Sequence, residues 1–281
     1  MIDTSWSSPV YQQMVLIVLS IIFVSGIGVY FLRMRNYYFT ASWASIKSWL
    51  VAAPLLFLVM GLPSPFPMLV LVVLAIIGAK VFFQIMGMFH RSYFVLISYA
   101  GIMALGVCAY FNRVDIYNVM PMVVLACCCL VPMIRNSYKR MIQYISVTLL
   151  GFIFLGWSFM HLSLILHFEN GIYQLTYLIV LTEFCDNTNL ALGRYIGSYK
   201  LFPRLNPRRT LGGLIVSILL TLFLAGAMRF LLPDDSQKYW LTAGLIASLG
   251  GFVGDLVMSA IRRDAGVRIV GPFILGRGDF L

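Results

Sequence analysis

Asp255, Ser259 and Arg262 stand at i, i+4 and i+7 in a stretch that reads Gly250-Gly251-Phe252-Val253-Gly254-Asp255 and runs on to Arg262-Arg263-Asp264. On a helix that spacing puts a carboxylate, a hydroxyl and a guanidinium on one face. The run around them is apolar, and an ionisable group at membrane depth is expensive unless it serves a site. The preceding glycines are expected to let helices approach closely. A second group is Thr182-Glu183-Phe184-Cys185-Asp186-Asn187, followed by Gly193-Arg194-Tyr195-Ile196-Gly197. Glu183 and Asp186 are three apart and share a helical face. They form either a polar wall that touches metal or nucleotide, or a helix end with solvated carboxylates; spacing does not separate the two. A third group, Asn206-Pro207-Arg208-Arg209-Thr210-Leu211-Gly212-Gly213, could start a helix at Asn206 and hold phosphate oxygens with its arginine pair. By spacing alone, a basic cluster that orients a span and meets anionic headgroups explains it better. Carboxylates set among arginines suit phosphate together with a divalent metal. His90, His161 and His167 are scattered, and Cys127, Cys128 and Cys129 point in different directions on a helix, so neither set makes a metal site. No P-loop, GxSxG or HExxH motif occurs.

The elements that must hold these residues follow from composition. The chain has 281 residues, 61% hydrophobic and 11% charged, with a mean hydropathy of +0.92. Soluble domains run about half apolar and a quarter charged, which excludes an ordinary cytosolic fold. A net charge of +10 excludes an acidic, disordered chain, and five cysteines are too few for a disulfide scaffold. The expected class is an all-α, polytopic integral membrane protein. At about 20 apolar residues per crossing, nine transmembrane helices are predicted near 12–32, 49–62, 66–86, 93–111, 116–134, 141–166, 171–190, 211–232 and 239–261. The second is short. Pro63, Pro65 and Pro67 follow it, so the second and third segments could form a hairpin that does not fully cross. The first is not a cleaved signal, because its basic residues Arg33 and Arg35 follow it.

With the N-terminus outside, Arg33, Arg35, Lys47, Arg91, Arg135, Lys139, Arg140 and the cations of 194–209 and 262–277 all fall in cytoplasmic segments. The other side keeps only Arg113 and Lys238 in loops, with Arg229 near a span end. That asymmetry is the positive-inside rule. No repeat or low-complexity tract is present. The sequence divides by character into a hydrophobic multi-span region, 1–166, with Lys80 as its intramembrane charge, and a region, 167–281, that carries the motifs.

The run from Gly254 to Asp264 resembles the G-D-x-x-x-S-x-x-K-R-D signature of the phosphatidate cytidylyltransferase (CDP-diacylglycerol synthase) family. Gly266-Val267-Arg268 resembles its G-V-K, and Gly276-Arg277-Gly278-Asp279-Phe280-Leu281 its G-H-G-G-x-L. Asp186 to Gly197 is similar to the D-x-x-A-Y-x-x-G-R-x-x-G region, and Asn206 to Gly213 to S-P-K-K-T-x-E-G. The resemblance covers 182–281. It implies transfer of a cytidylyl group from CTP to phosphatidate, in phospholipid biosynthesis, with release of pyrophosphate. Asp255, Arg263 and Asp186 would be catalytic. Asn206, Arg208, Arg209, Ser259, Arg262 and Arg268 would bind substrate, and Asp255 and Asp279 would hold metal. The implied cofactor is Mg2+ with a monovalent cation such as K+. The implied partners are CTP, phosphatidate and membrane lipids, with no nucleic acid and a homodimer left open. The implied location is the bacterial inner (cytoplasmic) membrane, with the site facing the cytoplasm.

The sequence departs from the signature at several places. Gly212 stands where the family has Glu, Arg268-Ile269 where it has Lys-Asp, Arg277 where it has His, and Asp279 where it has a second Gly. The closing D-R-x-D would begin after Leu281, which reads as a truncation. An arginine keeps a lysine's charge but replaces a point charge with a planar fork. Two alternatives therefore stand: a divergent or inactive homologue acting on another phospholipid, and a CTP-dependent lipid kinase of the polyprenol type. A transporter is disfavoured, since neither inverted repeats nor midplane ionisable groups are evident.

Overall fold

The computed structural model describes residues 5–35, 40–88, 91–136, 139–196 and 199–266, the side chains of 40–41, 193–196, 207–208 and 234–236 excepted. Arg268 and Asp279 therefore lie outside the described residues, as does the Arg208 side chain. Each predicted segment has its helix: α1 (Pro9–Arg35), α2 (Thr40–Met60), α3 (Phe66–Ile85), α4 (Ser92–Tyr110), α5 (Val114–Ile134), α6 (Met141–Gly151), α7 (Ser158–Ile165), α8 (Gly171–Ile196), α9 (Leu211–Ala227) and α10 (Trp240–Asp264). A π-helical stretch, Phe152–Trp157, joins α6 to α7, so these two account for one predicted segment. The chain is an all-α polytopic membrane protein. Among the described residues, seven helical runs are long and apolar enough to cross a bilayer. The nine expected reduce to these because α9 has 17 residues, and because α8 carries Glu183 and Asp186 in its second half.

The expected short second segment is a full-length helix. Ser42, Ser45 and Lys47 masked its first half in the sequence, but the backbone tolerates such hydroxyls: Ser48 Oγ donates to the Ala44 carbonyl at 2.9 Å. At 21 and 20 residues, α2 and α3 are each long enough to cross, against the hairpin alternative.

Two compact units are present. One contains Leu62–Phe168, that is, α3 to α7. Its interior is apolar and aromatic, with Phe82, Phe83, Ile102, Leu105 and Phe152 wholly buried. A Cβ on Gly101 would stand 2.7 Å from Phe152 and 2.8 Å from Val124, so this position admits no side chain without repacking.

The other unit joins the chain up to Gly61 with the chain from Glu169 onward, so α1 and α2 pack with the motif-bearing helices. There α8 packs on α2, α9 and α10, and α9 on α10. The buried face of α9 is a small-residue line of Gly213, Ser217, Thr221 and Ala225, the kind of surface that lets helices meet without large side chains. Tyr177 on α8 donates to the Ala225 carbonyl at 2.9 Å. Of the glycines expected to mediate close approach, Gly251 does so: its Cβ would lie 3.2 Å from Thr182 Cγ2. Gly250 and Gly254, four apart and so on one side of the helix, face open space.

A short hairpin that sequence periodicity does not announce lies between α8 and α9. Strand β1 (Lys200–Phe202) pairs antiparallel with β2 (Asn206–Thr210), Lys200 opposite Thr210 and Phe202 opposite Asn206. The helix start expected at Asn206 falls instead at Thr210. Thr210 has an extended backbone, and its Oγ1 accepts from the Gly213 amide at 3.2 Å. This caps an otherwise unsatisfied first-turn N–H. Asn206 is left in the strand, where its side chain takes another role.

Candidate functional site

That role is to join α10. Asn206 Nδ2 donates to Asp255 Oδ2 at 3.0 Å and to Ser259 Oγ at 3.2 Å. Three residues along β2, Arg209 Nε donates to the same Asp255 oxygen at 3.0 Å, while its terminal nitrogen hydrogen-bonds Asp186 on α8. One guanidinium thus ties carboxylates from two helices, and the hairpin carries it between them. The planar fork makes this bridge geometrically determined, where a lysine would offer a single point of charge.

The cluster is graded in exposure. The Arg209 side chain is 4% exposed, Asp255 24% and Asp186 40%. Burial alone would lower the Arg209 pKa, but Asp186 and Asp255 outweigh it and hold the guanidinium charged above its ordinary value. Arg209 is the buried member, so losing both carboxylates would leave an uncompensated buried charge, whereas losing one leaves the other in place.

Five of the residues singled out from sequence therefore meet: Asp186, Asn206, Arg209, Asp255 and Ser259. Others do not. Arg263 is exposed on the last turn of α10, outside these hydrogen bonds, because it follows Arg262 by one position and so points about 100° away. Arg262 Nε donates to the Met258 carbonyl at 3.3 Å, on its own helix. Glu183 and Asp186 share less than their spacing promised. Glu183 and Asn187 line an apolar cavity of about 170 Å³ with Val18, Ile22, Trp49 and Phe57 of α1 and α2, whereas Asp186 faces the hairpin and α10. Three positions on a helix still differ by about 60°, enough for different neighbours here.

Asn189 was not anticipated. It is 2% exposed, and its Oδ1 has no hydrogen-bond partner. With Thr182, Asp186, Arg209 and Ser248 it lines a cavity of about 10 Å³ beside the ion pairs, room for about one water. Its spacing of i+3 from Asp186 was the available signal.

The sequence model of the cytidylyltransferase family matches residues 43–281, which takes in every element of this cluster. The chain belongs to the cytidylyltransferase family. It is 34% identical over 113 residues to the uncharacterized protein YnbB of Escherichia coli (strain K12), covering 40% of this chain and 38% of that one. It is 30% identical over 115 residues to the phosphatidate cytidylyltransferase of Staphylococcus aureus (strain COL), covering 40% of this chain and 44% of that one. The phosphatidate cytidylyltransferase of Staphylococcus haemolyticus (strain JCSC1435) is likewise 30% identical over 115 residues. The match spans about two-fifths of the length of these curated relatives.

For a cytidylyltransferase, the donor set at the cluster is of the right type for a hard divalent cation: carboxylates, a hydroxyl and an amide oxygen. Among the described residues, no three of His, Cys, Asp and Glu gather as a ligand group. The protein contributes two carboxylates there, and hard cations of this kind commonly complete their shell with water and substrate phosphate.

Proposed function

We propose that this cytidylyltransferase-family chain transfers the cytidylyl group of CTP to phosphatidate, giving CDP-diacylglycerol and pyrophosphate. The observation that supports it most is the Asp186–Arg209–Asp255 bridge, reinforced by Asn206 and Ser259. It assembles, at a helix-bundle surface, the charges that two polyanions need. In the reaction a phosphatidate phosphate oxygen attacks the α-phosphorus of CTP. The new P–O bond forms as the bond to the β-phosphate bridging oxygen breaks, and pyrophosphate leaves with that electron pair. Mg2+ held by Asp255 and Asp186 would screen the phosphates and fix in-line geometry. Asn206 and, before substrate binds, Arg209 orient the carboxylates, and Arg209 can then bind phosphate oxygens bidentately. Arg208, Arg262, Arg263 and Arg268 supply further cations for the triphosphate and lipid headgroup. Ser259 offers one hydroxyl. Asp279 and a monovalent cation such as K+ belong to the same proposal.

The charge asymmetry supports a site that faces the cytoplasm, in a bacterial inner membrane, where CTP is available. Arg204→Cys in intact cells should then resist an impermeant thiol label applied from outside; ready labelling would reverse the orientation. Membranes containing the protein, given phosphatidate and α-labelled CTP, should form a labelled liponucleotide that disappears with a chelator. Transfer of the γ-label to a lipid alcohol would establish the kinase chemistry instead. Movement of neither label would mark a homologue acting on another phospholipid or on none.

A further inference from the structure

Arg209 occupies the position a cation would take. Its Nε and terminal nitrogen engage Asp255 Oδ2 and Asp186, and Asp255 Oδ2 also accepts from Asn206 at 3.0 Å. One oxygen of each carboxylate is thus aimed at N–H donors, oxygens that a divalent ion bridging the two helices would compete for. The side chain is 4% exposed, so Arg209 cannot simply turn into water when its carboxylates are taken. A bare guanidinium buried there would be an uncompensated charge, which is strongly unfavourable.

We propose that Arg209 is a resident counter-ion that the metal and the nucleotide displace only together. This rests on the reading of the site as one for a divalent cation and a nucleoside triphosphate. In the resting state Arg209 bridges Asp186 and Asp255. When the carboxylates turn to a divalent cation, Arg209 is released, and it stays compensated only if a phosphate oxygen receives it in the same event. Metal alone leaves the guanidinium unpaired. Triphosphate alone draws the guanidinium away and leaves two carboxylates, from α8 and α10, facing each other. Each ligand therefore tightens the other, and by linkage the two enhancements are equal. The bidentate fork is what permits the exchange, since one group can hold two carboxylates in one state and phosphate oxygens in the other.

The test is binding, without turnover. Mn2+ binding to the purified full chain in detergent is followed by electron paramagnetic resonance, with and without α,β-methylene-CTP. In the wild type, Mn2+ alone should bind weakly, and the analogue should tighten it by about tenfold or more. Arg209→Gln should bind Mn2+ alone more tightly than the wild type and lose most of the enhancement. Arg209→Lys keeps the charge but replaces the planar fork with a shorter-reaching point charge, so it should fall between. Thermal unfolding of each variant shows that it is folded. Tight Mn2+ binding by the wild type without nucleotide, or weaker Mn2+ binding in a folded Arg209→Gln, would overturn the displacement. Binding of neither Mn2+ nor the analogue by any folded form would overturn the metal–nucleotide reading, and the displacement with it.

Discussion

The two compact units are built from the same helices and the same apolar alphabet, yet they solve different problems. In Leu62–Phe168 the helices meet through aromatic rings and glycines, with Gly101 against Phe152 and Val124. Asp115 is the one acidic residue in that stretch. In the unit containing α8, α9 and α10 rings also meet, Tyr11 with Tyr173 among them, but α9 and α10 approach their neighbours through Ser217, Thr221, Ala225 and Gly251, and a polar bridge is added. Small residues bring backbones together, and the hairpin carrying Arg209 packs on α8 and α9. The first arrangement is an interior of rings and glycines; the second adds charges that hold each other in place.

Substitutions can break or sharpen that contrast. The largest effect is expected at Asp255→Asn, which keeps the volume and removes the charge that Arg209 and Asn206 address. Cytidylyl transfer should fall by roughly 10²–10³-fold, the scale of losing one aligned electrostatic group. The unfolding temperature should move little by comparison. Unchanged activity would show that the bridge is structural only.

Gly101→Leu tests the other unit. Its new side chain must enter occupied space at Phe152 and Val124, and overpacking of this kind costs about 1–3 kcal/mol. The measurement is thermal unfolding in detergent, with activity counted per folded molecule. A clear drop in unfolding temperature with normal specific activity would keep the two roles separate. A loss of specific activity in the folded fraction would join them.

Thr210→Ala removes the oxygen that caps α9 and so costs about 1 kcal/mol of stability. Because Thr210 follows Arg209 directly, a several-fold loss of activity should accompany it, and Thr210→Ser should restore both. The smallest effect is expected at Arg263→Gln. Arg263 is exposed and outside the bridge, so stability should change by no more than about 0.5 kcal/mol. A loss of activity without loss of stability would fit Arg263 as a cation for the substrate phosphates; unchanged activity would remove it from that role.

Much of the site was legible before the structure. Asp186, Asn206, Arg209, Asp255 and Ser259 all stood out, because each is a polar group that apolar neighbours make conspicuous. Their pairing was not legible. Arg209 was one of several cations near 194–209, and nothing in its spacing distinguished it from Arg208 or Arg204. The hairpin was hidden for the same reason: Lys200–Thr210 is too short and too polar for an alternating pattern to register. Asn206-Pro207 signalled a helix start, but Thr210 took the capping position, since an extended residue with a side-chain acceptor is what the first turn requires. Glu183 and Asp186 illustrate the limit on helices: position along the chain predicts a common face, while the neighbours decide which cavity each one meets.

The sequence by itself determined the class, the nine helical segments to within a few residues for most, and the residue types at the site. Those follow from composition, apolar run length and local spacing, which are properties of short stretches of chain. The tertiary structure decided that α1 and α2 pack with the motif-bearing helices. It also decided that Asp186 and Asp255, 69 positions apart in the sequence, share one guanidinium. It left Arg263 at the surface as well. Such choices depend on which helices meet through small residues and where a buried charge finds its counter-charge, and no local pattern encodes either.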